Sequence, residues 1–337
     1  MSFKRLEPED FLISADSITA GAWTSNLPTL TEFYTSSTQE AGISGDYYLS
    51  VYQTASNLSN AEVQFNIAFA NAQGSGSELF DAGIEGKSPT STVFGQWQNI
   101  VLGDESNQFT FGEVIPVTQS IYALSVERAR FKGSILPGTL DLQLNSGSNT
   151  LVLTDNSNDT TTISFNEAGR VYQIVSGSNG SAYSGTGYTT NSGSYGLFLP
   201  DIGTIILNDS ALRLAAGEGG GIGLDTDLAS DANNNRIMFA AIEDGANFKL
   251  NSQENITSDY VFIRARNAEY NYSENPSFSS GSVGDVTFTD FINAPQTFIT
   301  TVGLYNDANE LLAVAKLSKP LKKDFTKEAL IRVKLDF

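Results

Sequence analysis

Two short segments carry acidic and hydroxyl side chains at close spacing, a pattern that could supply hard oxygen ligands to Ca²⁺. They are Asp155, Ser157 and Asp159 in the first segment, and Asp225, Asp227 and Asp231 in the second. A calcium loop of the EF-hand type also needs a central glycine and a distal glutamate that binds through both oxygens. Neither segment has that pattern. Asp and Ser also fix turns by bonding to nearby backbone, and we favour turn chemistry for both.

A glycine-rich segment, GEGGGIG from Gly217 to Gly223, superficially resembles a loop that cradles phosphate. The dinucleotide-binding pattern G-x-G-x-x-G fits neither from Gly217 nor from Gly219, and no Gly-Lys-Ser or Gly-Lys-Thr follows. Clustered glycines are also required where the backbone takes positive φ angles or closely approaches other backbone. We therefore predict a structural loop at this place.

Histidine and cysteine are both absent. Without His, the commonest general base and metal ligand are missing, and so are Ser-His and Cys-His nucleophiles. Without Cys, neither a disulfide nor a thiolate metal site can form. A carboxylate pair, as in glycoside hydrolases, remains possible, but 38 acidic residues make any one pairing unspecific. We predict no catalytic residue, no cofactor, no metal site and no enzymatic activity.

Basic residues are concentrated at the C-terminal end of a chain whose net charge is −19. Between residues 316 and 337 they outnumber acidic residues by seven to three, which leaves 12 basic and 35 acidic residues elsewhere. The seven are Lys316, Lys319, Lys322, Lys323, Lys327, Arg332 and Lys334. A basic end on an acidic body can orient neighbouring copies or partners. Alternatively, these lysines only protect a solvated strand edge.

The acidic balance argues against nucleic acid as a partner, because phosphate backbones are bound by clustered Lys and Arg. Two Arg-Ala-Arg tripeptides, at Arg128 and Arg130 and at Arg264 and Arg266, each follow an apolar segment. On a strand, both arginines of a tripeptide would project from one face. We expect them to pair with carboxylates, either within the sheet or in a neighbouring subunit.

These residues must be positioned by β-structure. The chain has 30 glycines in short clusters with Ser, Thr and Asn, and its charged fraction is only 17%, which is typical of many turns between short strands. Alternating apolar residues predict strands over 47–52, 63–70, 140–144 and 170–175. Residues 93–102 fit a short helix or a strand, a second short helix is expected from Asn208, capped by Asp209 or Ser210, and 306–309 is predicted to be a hairpin turn. Residues 217–236 are expected to form a long loop, and the region from 237 onward to be rich in strands.

We predict a mainly β fold with two or three sandwich-like or barrel-like domains, long Gly/Ser/Asn-rich loops and few short helices. The expected domains are an N-terminal β-rich domain with an extended arm (1–128), a middle β domain that could be an insertion (129–236), and a C-terminal β module with the basic end (237–337). The last module could pack with the first. No window is apolar for the ~18 residues of a membrane span, and no secretory signal is recognised, so we expect synthesis in the cytoplasm of the cell that makes the protein.

Two long collinear stretches carry a family resemblance. The first comprises YVFIRARNAEYNYSENPSF, FINAPQTFITTVGLYNDANELLAVAKLSKP and EALIRVKLDF, all within 260–337. The second comprises ITAGAWTSNLPTLTEFYTSSTQ, SGDYYLSVYQT and FGQWQNIVLGDESNQF, within 18–109. Both resemble structural proteins in the virions of T4-like phages of marine cyanobacteria. The segment ITTVGLYNDANELLAVAKL is also similar to a strand, turn and strand found in phage tail-fibre and baseplate attachment modules.

The resemblance implies a non-enzymatic building block of the virion, in the contractile tail or its baseplate. It implies many copies in a symmetric assembly, with other tail or baseplate proteins as partners. One alternative is a tail adhesin that binds a receptor or glycan, with Tyr183, Tyr188 and Tyr195 stacking on sugars. Another is a capsid decoration or neck protein, which the β-rich composition and acidic surface suit nearly as well.

Overall fold

The structure is a computed structural model that describes residues 4–35, 47–76, 88–111, 115–183, 195–216, 220–229, 233–273, 275–280 and 284–336. Strands dominate these residues. Those of the first half are β1 (Phe11–Gly21), β2 (Thr29–Leu30), β3 (Tyr34–Thr35), β4 (Leu49–Tyr52), β5 (Val63–Asn71), β6 (Phe109–Phe111), β7 (Ile115–Thr118), β8 (Ser120–Val126), β9 (Ser134–Ile135), β10 (Asp141–Ser146), β11 (Asn149–Asp155) and β12 (Ser164–Asn166).

The second half is also rich in strands. They are β13 (Gly169–Ser178), β14 (Ser181–Ala182), β15 (Gly196–Leu199), β16 (Thr204–Asn208), β17 (Phe248–Lys249), β18 (Asn251–Ala265), β19 (Ser279–Ser280), β20 (Asp285–Val286), β21 (Thr297–Tyr305), β22 (Leu311–Lys323) and β23 (Ala329–Asp336). The helices of the described residues are α1 (Pro89–Leu102), α2 (Asp209–Arg213), α3 (Asn234–Gly245) and α4 (Asp290–Asn293). The prediction of a mainly β fold with few short helices is confirmed.

The chain divides into two compact units, one formed by residues 17–254 and the other by residues 1–16 together with 255–337. This division differs from the expected boundaries at 128/129 and 236/237. Across the first of these, β8 pairs with β16 from Ile121 to Ser125, so hydrogen bonds join the expected first and middle domains into one sheet. Across the second, α3 runs from Asn234 to Gly245 without a break.

The unit formed by residues 17–254 is built on one antiparallel sheet in the order β2-β17-β10-β11-β13-β15-β16-β8-β5-β4-β3. Period-2 alternation gives this sheet two apolar faces. Along β5, Phe65, Ile67 and Phe69 point into one buried cluster, while Ala70 belongs to a second cluster on the opposite face. The predicted alternation of Leu142, Leu144 and their neighbours also lies on the first face.

The sheet curls around the first cluster. Phe65 of β5 and Phe248 of β17 lie far apart in the strand order, yet their ring centroids are 5.1 Å apart. Trp23 completes this contact, with its ring 4.9 Å from that of Phe248. Its indole Nε1 donates a hydrogen bond to the Phe248 carbonyl at 2.8 Å. These aromatic contacts therefore join two distant parts of the curled sheet through the core that it surrounds.

Three of the helices extend or cap this sheet. α1 packs on the outer face through Val93, Phe94 and Val101, and thus resolves the helix-or-strand ambiguity of 93–102. α2 forms where a short helix was expected, but its cap is the side chain of Asn208, which accepts from the Ser210 amide, and not Asp209 or Ser210. α3 lies in a region expected to be loop and strand.

α3 forms because the Asn233 side chain accepts from the Arg236 amide at its N-terminus. Met238 and Ile242, four residues apart, then face the inner core. The helix ends at Ala246, which takes a left-handed φ of 52°. The Asn-rich sequence predicted a loop, whereas Asn233 caps the helix and the next two asparagines bond to distant backbone: Asn234 accepts from the Asp227 amide and Asn235 from the Phe69 amide.

The other unit has much less interior. Its central strand β18 lies between β1 and β23, and pairs with β23 from Ser258 to Ala265. Two further hairpins, β19–β20 and β21–β22, form separate two-stranded sheets. Among its described residues the buried apolar side chains are Val261, Ala265, Ala329 and Val333. These long strands are therefore held together by a very small apolar core.

Candidate assembly surface

The hairpin β21–β22 is the longer of the two hairpins named above and carries four of the predicted basic residues, Lys316, Lys319, Lys322 and Lys323. Its turn is fixed by Asn306, whose side chain accepts from the Glu310 amide at 2.8 Å, and by Asn309, which has a φ of 65°. The predicted hairpin turn at 306–309 is thereby confirmed. Within the described residues the hairpin forms a sheet of two strands only, and such a ribbon is marginally stable by itself in water.

One face of this hairpin is apolar and exposed, and we call it the exposed hairpin face. The register sets Phe298 opposite Lys322, Thr301 opposite Lys316, Gly303 opposite Val314, and Tyr305 opposite Leu311. Residues directly opposite each other share a face, and all eight are exposed. The exposed fractions are 60% for Phe298, 58% for Val314 and 53% for Leu311. The opposite face carries half-buried aliphatic residues such as Ile299, Val302 and Leu304.

The predicted basic residues are not equivalent. Lys316 and Lys322 flank the apolar side chains of the exposed hairpin face, Lys319 lies at an irregularity of β22, and Lys327 lies in the following turn; all four are exposed. Lys323, by contrast, is fully buried. The sequence analysis grouped Lys322 and Lys323 as residues that could contact partners. Their side chains point to opposite faces of β22, because successive side chains on a strand alternate between the two faces.

Lys323 holds the base of the hairpin. Its Nζ donates to the Asn267 carbonyl and to Asn271 Oδ1, both at 2.9 Å, and to the Asp324 carbonyl at 3.1 Å. These three acceptors use all three ammonium protons, which is the condition for burying such a group. The residue is thus a structural pin between the loop 266–273 and β22, and its charge is not available for docking.

Arg332 and Lys334 belong to the sheet of β18 and β23. Both lie over the ring of Tyr260, at 5.3 Å and 5.9 Å from its centroid. Lys334 also lies 3.0 Å from Asp336 and 3.8 Å from Asp16, and the hydrogen bond with Asp336 raises its pKa. These two residues remain exposed but are engaged within their own unit.

The two Arg-Ala-Arg tripeptides have different structures. Arg264 lies on β18 and forms an exposed ion pair with Glu328 at 2.7 Å, as expected for pairing within the sheet. Arg128 and Arg130 lie in a 3-10 turn after β8, not on a strand. Arg128 donates to the carbonyls of Phe131 and Lys132, and Arg130 pairs with Glu62. The prediction that both arginines share one strand face is wrong for this pair.

The first acidic segment fixes turns. Both carboxylate oxygens of Asp155 accept from the Gly138 amide, and one also accepts from the Ser157 amide. Asp159 accepts from the Ala182 amide at 2.6 Å. In the second segment Asp227 accepts from the Ala229 amide, Asp225 is exposed, and Asp231 lies outside the described residues. The favoured interpretation of turn chemistry is confirmed for Asp155 and Asp227, whereas the bond of Asp159 is to backbone 23 residues away.

The glycine segment also has the predicted character where it is described. Gly220 and Gly223 have φ angles of 78° and 64°. A Cβ on Gly221 would lie 2.0 Å from the Leu214 carbonyl oxygen, so no larger residue fits there. Residues 217–219 lie outside the described residues.

The three tyrosines proposed for sugar stacking are not displayed together. Tyr183 is exposed, Tyr188 lies outside the described residues, and Tyr195 is fully buried in the inner core. The hydroxyl of Tyr195 donates to the Gly220 carbonyl. Tyr195 is a core residue, and its ring has no face for a ligand.

One buried acidic residue was missed by the sequence analysis. Asp209 is 1% exposed and accepts a hydrogen bond from Thr226 Oγ1 at 2.6 Å, and Thr226 in turn lies 2.9 Å from the Tyr122 hydroxyl. Burial raises the pKa of Asp209 to about 6, while the Thr226 hydrogen bond and the positive charge of Arg213 act in the opposite direction. Only the tertiary contact with Thr226 distinguishes Asp209 from other helix-start aspartates.

We expect Asp209 to make the unit of residues 17–254 less stable as the pH rises. Its pKa in the folded protein, about 6, exceeds the unfolded value, so folding takes up a proton between pH ~4 and ~6. The free energy of unfolding should therefore fall by about 2–3 kcal/mol across this window. Asp209→Asn keeps the acceptor for Thr226 and should be more stable than the parent above pH 7, an advantage that disappears near pH 4. Urea unfolding at both pH values measures it.

Asp201 is a suitable control, because its pKa is shifted in the opposite direction from that of Asp209. Burial opposes its ionisation, but hydrogen bonds from the Arg170 side chain and backbone outweigh burial and lower its pKa. Asp201→Asn should therefore destabilise the protein at neutral pH, with an effect that shrinks as the pH falls. If Asp209→Asn behaves in the same way as Asp201→Asn, the buried carboxylate is not the destabilising group.

Comparison with known proteins adds no relative: no family model, no curated protein and no solved structure matches this chain. In the described part of the chain, the helices are each too short or too polar to cross a lipid bilayer.

Proposed function

We propose that this protein is a phage virion structural protein, a non-enzymatic assembly component of the contractile tail or its baseplate. The observation that carries the proposal is the exposed hairpin face. A ribbon of two strands with Phe298, Leu311 and Val314 each more than half exposed has too little interior of its own. Exposed apolar side chains gathered on one face mark a protein interaction site.

The imbalance between the two units supports an assembly role. The unit of residues 17–254 buries two large apolar clusters and needs no partner for its core. The unit of residues 1–16 and 255–337 carries strands of up to 13 residues on four buried apolar side chains among its described residues. A stable body that presents an incomplete module is the arrangement expected of a subunit whose fold is completed by neighbours.

The assignment to a tail is supported by the resemblance of 18–109 and 260–337 to virion proteins of T4-like phages. The short likeness of ITTVGLYNDANELLAVAKL to attachment modules falls on β21 and β22, the same hairpin that is exposed. The adhesin alternative loses support because Tyr195 is buried. A capsid decoration protein would use the same apolar face, so only the location of the chain in the particle distinguishes that role from a role in the tail.

Immunogold labelling tests the proposal. Particles in which mass spectrometry detects this chain are labelled with antibody against residues 17–254, both intact and after tail contraction. Label at the distal end of the tail is the expected result. Label confined to heads would replace the tail assignment with decoration, and absence of the chain from purified particles would overturn the virion role.

A further inference from the structure

We propose that the exposed hairpin face of one copy docks on an acidic and apolar patch of a second copy of this chain. The inference rests on the proposed assembly function and identifies its partner. The hairpin surface is apolar at its centre, with Phe298, Tyr305, Leu311 and Val314, and basic through Lys316 and Lys322. Its partner must therefore combine exposed apolar side chains with carboxylates.

The unit of residues 17–254 offers such a surface, which we call the acidic patch. A Cβ on Gly103 would lie 3.0 Å from Cγ of Glu167, so the end of α1 and the turn after β12 lie side by side. Phe165, two residues before Glu167, is 72% exposed, and Ile100, one turn before Gly103, is 44% exposed. Glu105 and Glu167 are also exposed, and Oε2 of Glu105 would lie 3.8 Å from a Cβ on Gly95 of α1.

The unit that carries the acidic patch is much more acidic than the unit that carries the hairpin, and the hairpin itself (297–323) has four lysines and two acidic residues. Residues 17–254 contain 24 acidic and 8 basic residues, a net charge of −16, while residues 1–16 and 255–337 contain 14 acidic and 11 basic residues, a net charge of −3. These values add to the −19 of the whole chain. Two copies of the acidic body repel each other, whereas the lysines of the hairpin are attracted to that body.

A contact between two different surfaces on identical subunits is heterologous, and it generates a ring if the rotation closes. Each copy uses its hairpin toward one neighbour and its acidic patch toward the other. Burying Phe298 and Phe165 in one contact removes two of the most exposed aromatic side chains of the described residues from water. The charged residues around the apolar centre of this contact then determine the relative orientation of the two copies more than the affinity between them.

Charge exchange between the two surfaces tests this inference in the full-length protein. The hairpin variant is Lys316→Glu with Lys322→Glu, and the patch variant is Glu105→Lys with Glu167→Lys. Light scattering coupled to size exclusion should show the parent chain above its monomer mass of 36.2 kDa at low salt. Each variant alone should lose at least about tenfold in self-affinity.

Mixing the two variants is the decisive measurement, because contacts between unlike variants then alternate between an acidic hairpin on a basic patch and a basic hairpin on an acidic patch, and both pair opposite charges. The mixture should recover the mass of the parent assembly. The control Arg5→Glu with Lys132→Glu reverses the same number of charges at exposed residues outside both surfaces and should assemble as the parent does.

Two results would overturn the inference: assembly of either variant alone as efficiently as the parent, or a mixture that stays monomeric. A parent chain that is monomeric at all concentrations would also overturn it. None of these results bears on whether the chain labels at the tail, so the proposed function fails or survives separately.

Discussion

Lys323→Met should detach the base of the hairpin β21–β22 from its unit. The substitution removes three hydrogen bonds and leaves the Asn267 carbonyl, the Asn271 side chain and the Asp324 carbonyl without their donor. Buried polar groups that lose their partner cost about 1–3 kcal/mol each, partly offset because the cost of burying an ammonium group also disappears. We expect a net loss of about 3 kcal/mol in the stability of this unit.

Hydrogen exchange measured by mass spectrometry follows this change directly. Peptides from 297–323 and 266–273 should lose protection in Lys323→Met, while peptides from the core strands of residues 17–254 should keep it. Lys322→Met is the matched control, because the neighbouring side chain is exposed on the opposite face. It should change stability by about 0.5 kcal/mol or less. Equal protection of 297–323 in the two variants would show that Lys323 is not the pin.

Trp23→Ala should destabilise the unit of residues 17–254 by about 3–5 kcal/mol. Trp23 is 2% exposed, and its ring contacts the rings of Phe65 and Phe248 where the curled sheet meets itself. Removing the indole leaves a cavity at this closure and deprives the Phe248 carbonyl of its hydrogen bond. Urea unfolding, followed through the fluorescence of Trp97, measures the loss.

Trp23→Phe separates the two contributions. A phenyl ring retains much of the packing but not the donor to Phe248, so this variant should lose about 1–2 kcal/mol. The difference between Ala and Phe then measures the ring contacts alone. Equal losses in both variants would place the whole effect in the hydrogen bond and contradict closure by packing.

Trp23 and Lys323 stabilise their β-structures in different ways, one through apolar packing and the other through buried hydrogen bonds. Residues 17–254 close a curled sheet over an apolar core, in which helix α3 fills the interior through Met238 and Ile242. The hairpin β21–β22 has no such core and is fixed at its base by a buried lysine. A ribbon fixed at its base still exposes the apolar side chains of one face to neighbouring molecules, which is the basis of the proposed assembly role.

Part of this architecture follows from local sequence. Alternation predicts β5, β10, β11 and β13 because residues two apart on a strand share one face. The Asn-rich turn at 306–309 predicts the hairpin because Asn tolerates positive φ and bonds to its own backbone. The absence of His and Cys also excludes whole classes of chemistry without any structure.

The tertiary structure decided which face of each element meets the rest of the chain. Lys322 and Lys323 are indistinguishable as sequence, yet one is exposed and the other fully buried, because long-range pairing sets the register of β22. Tyr195 and Asp209 are likewise buried by strands and loops distant in sequence. Local periodicity fixes the direction of a side chain, whereas burial depends on contacts that only the folded chain brings together.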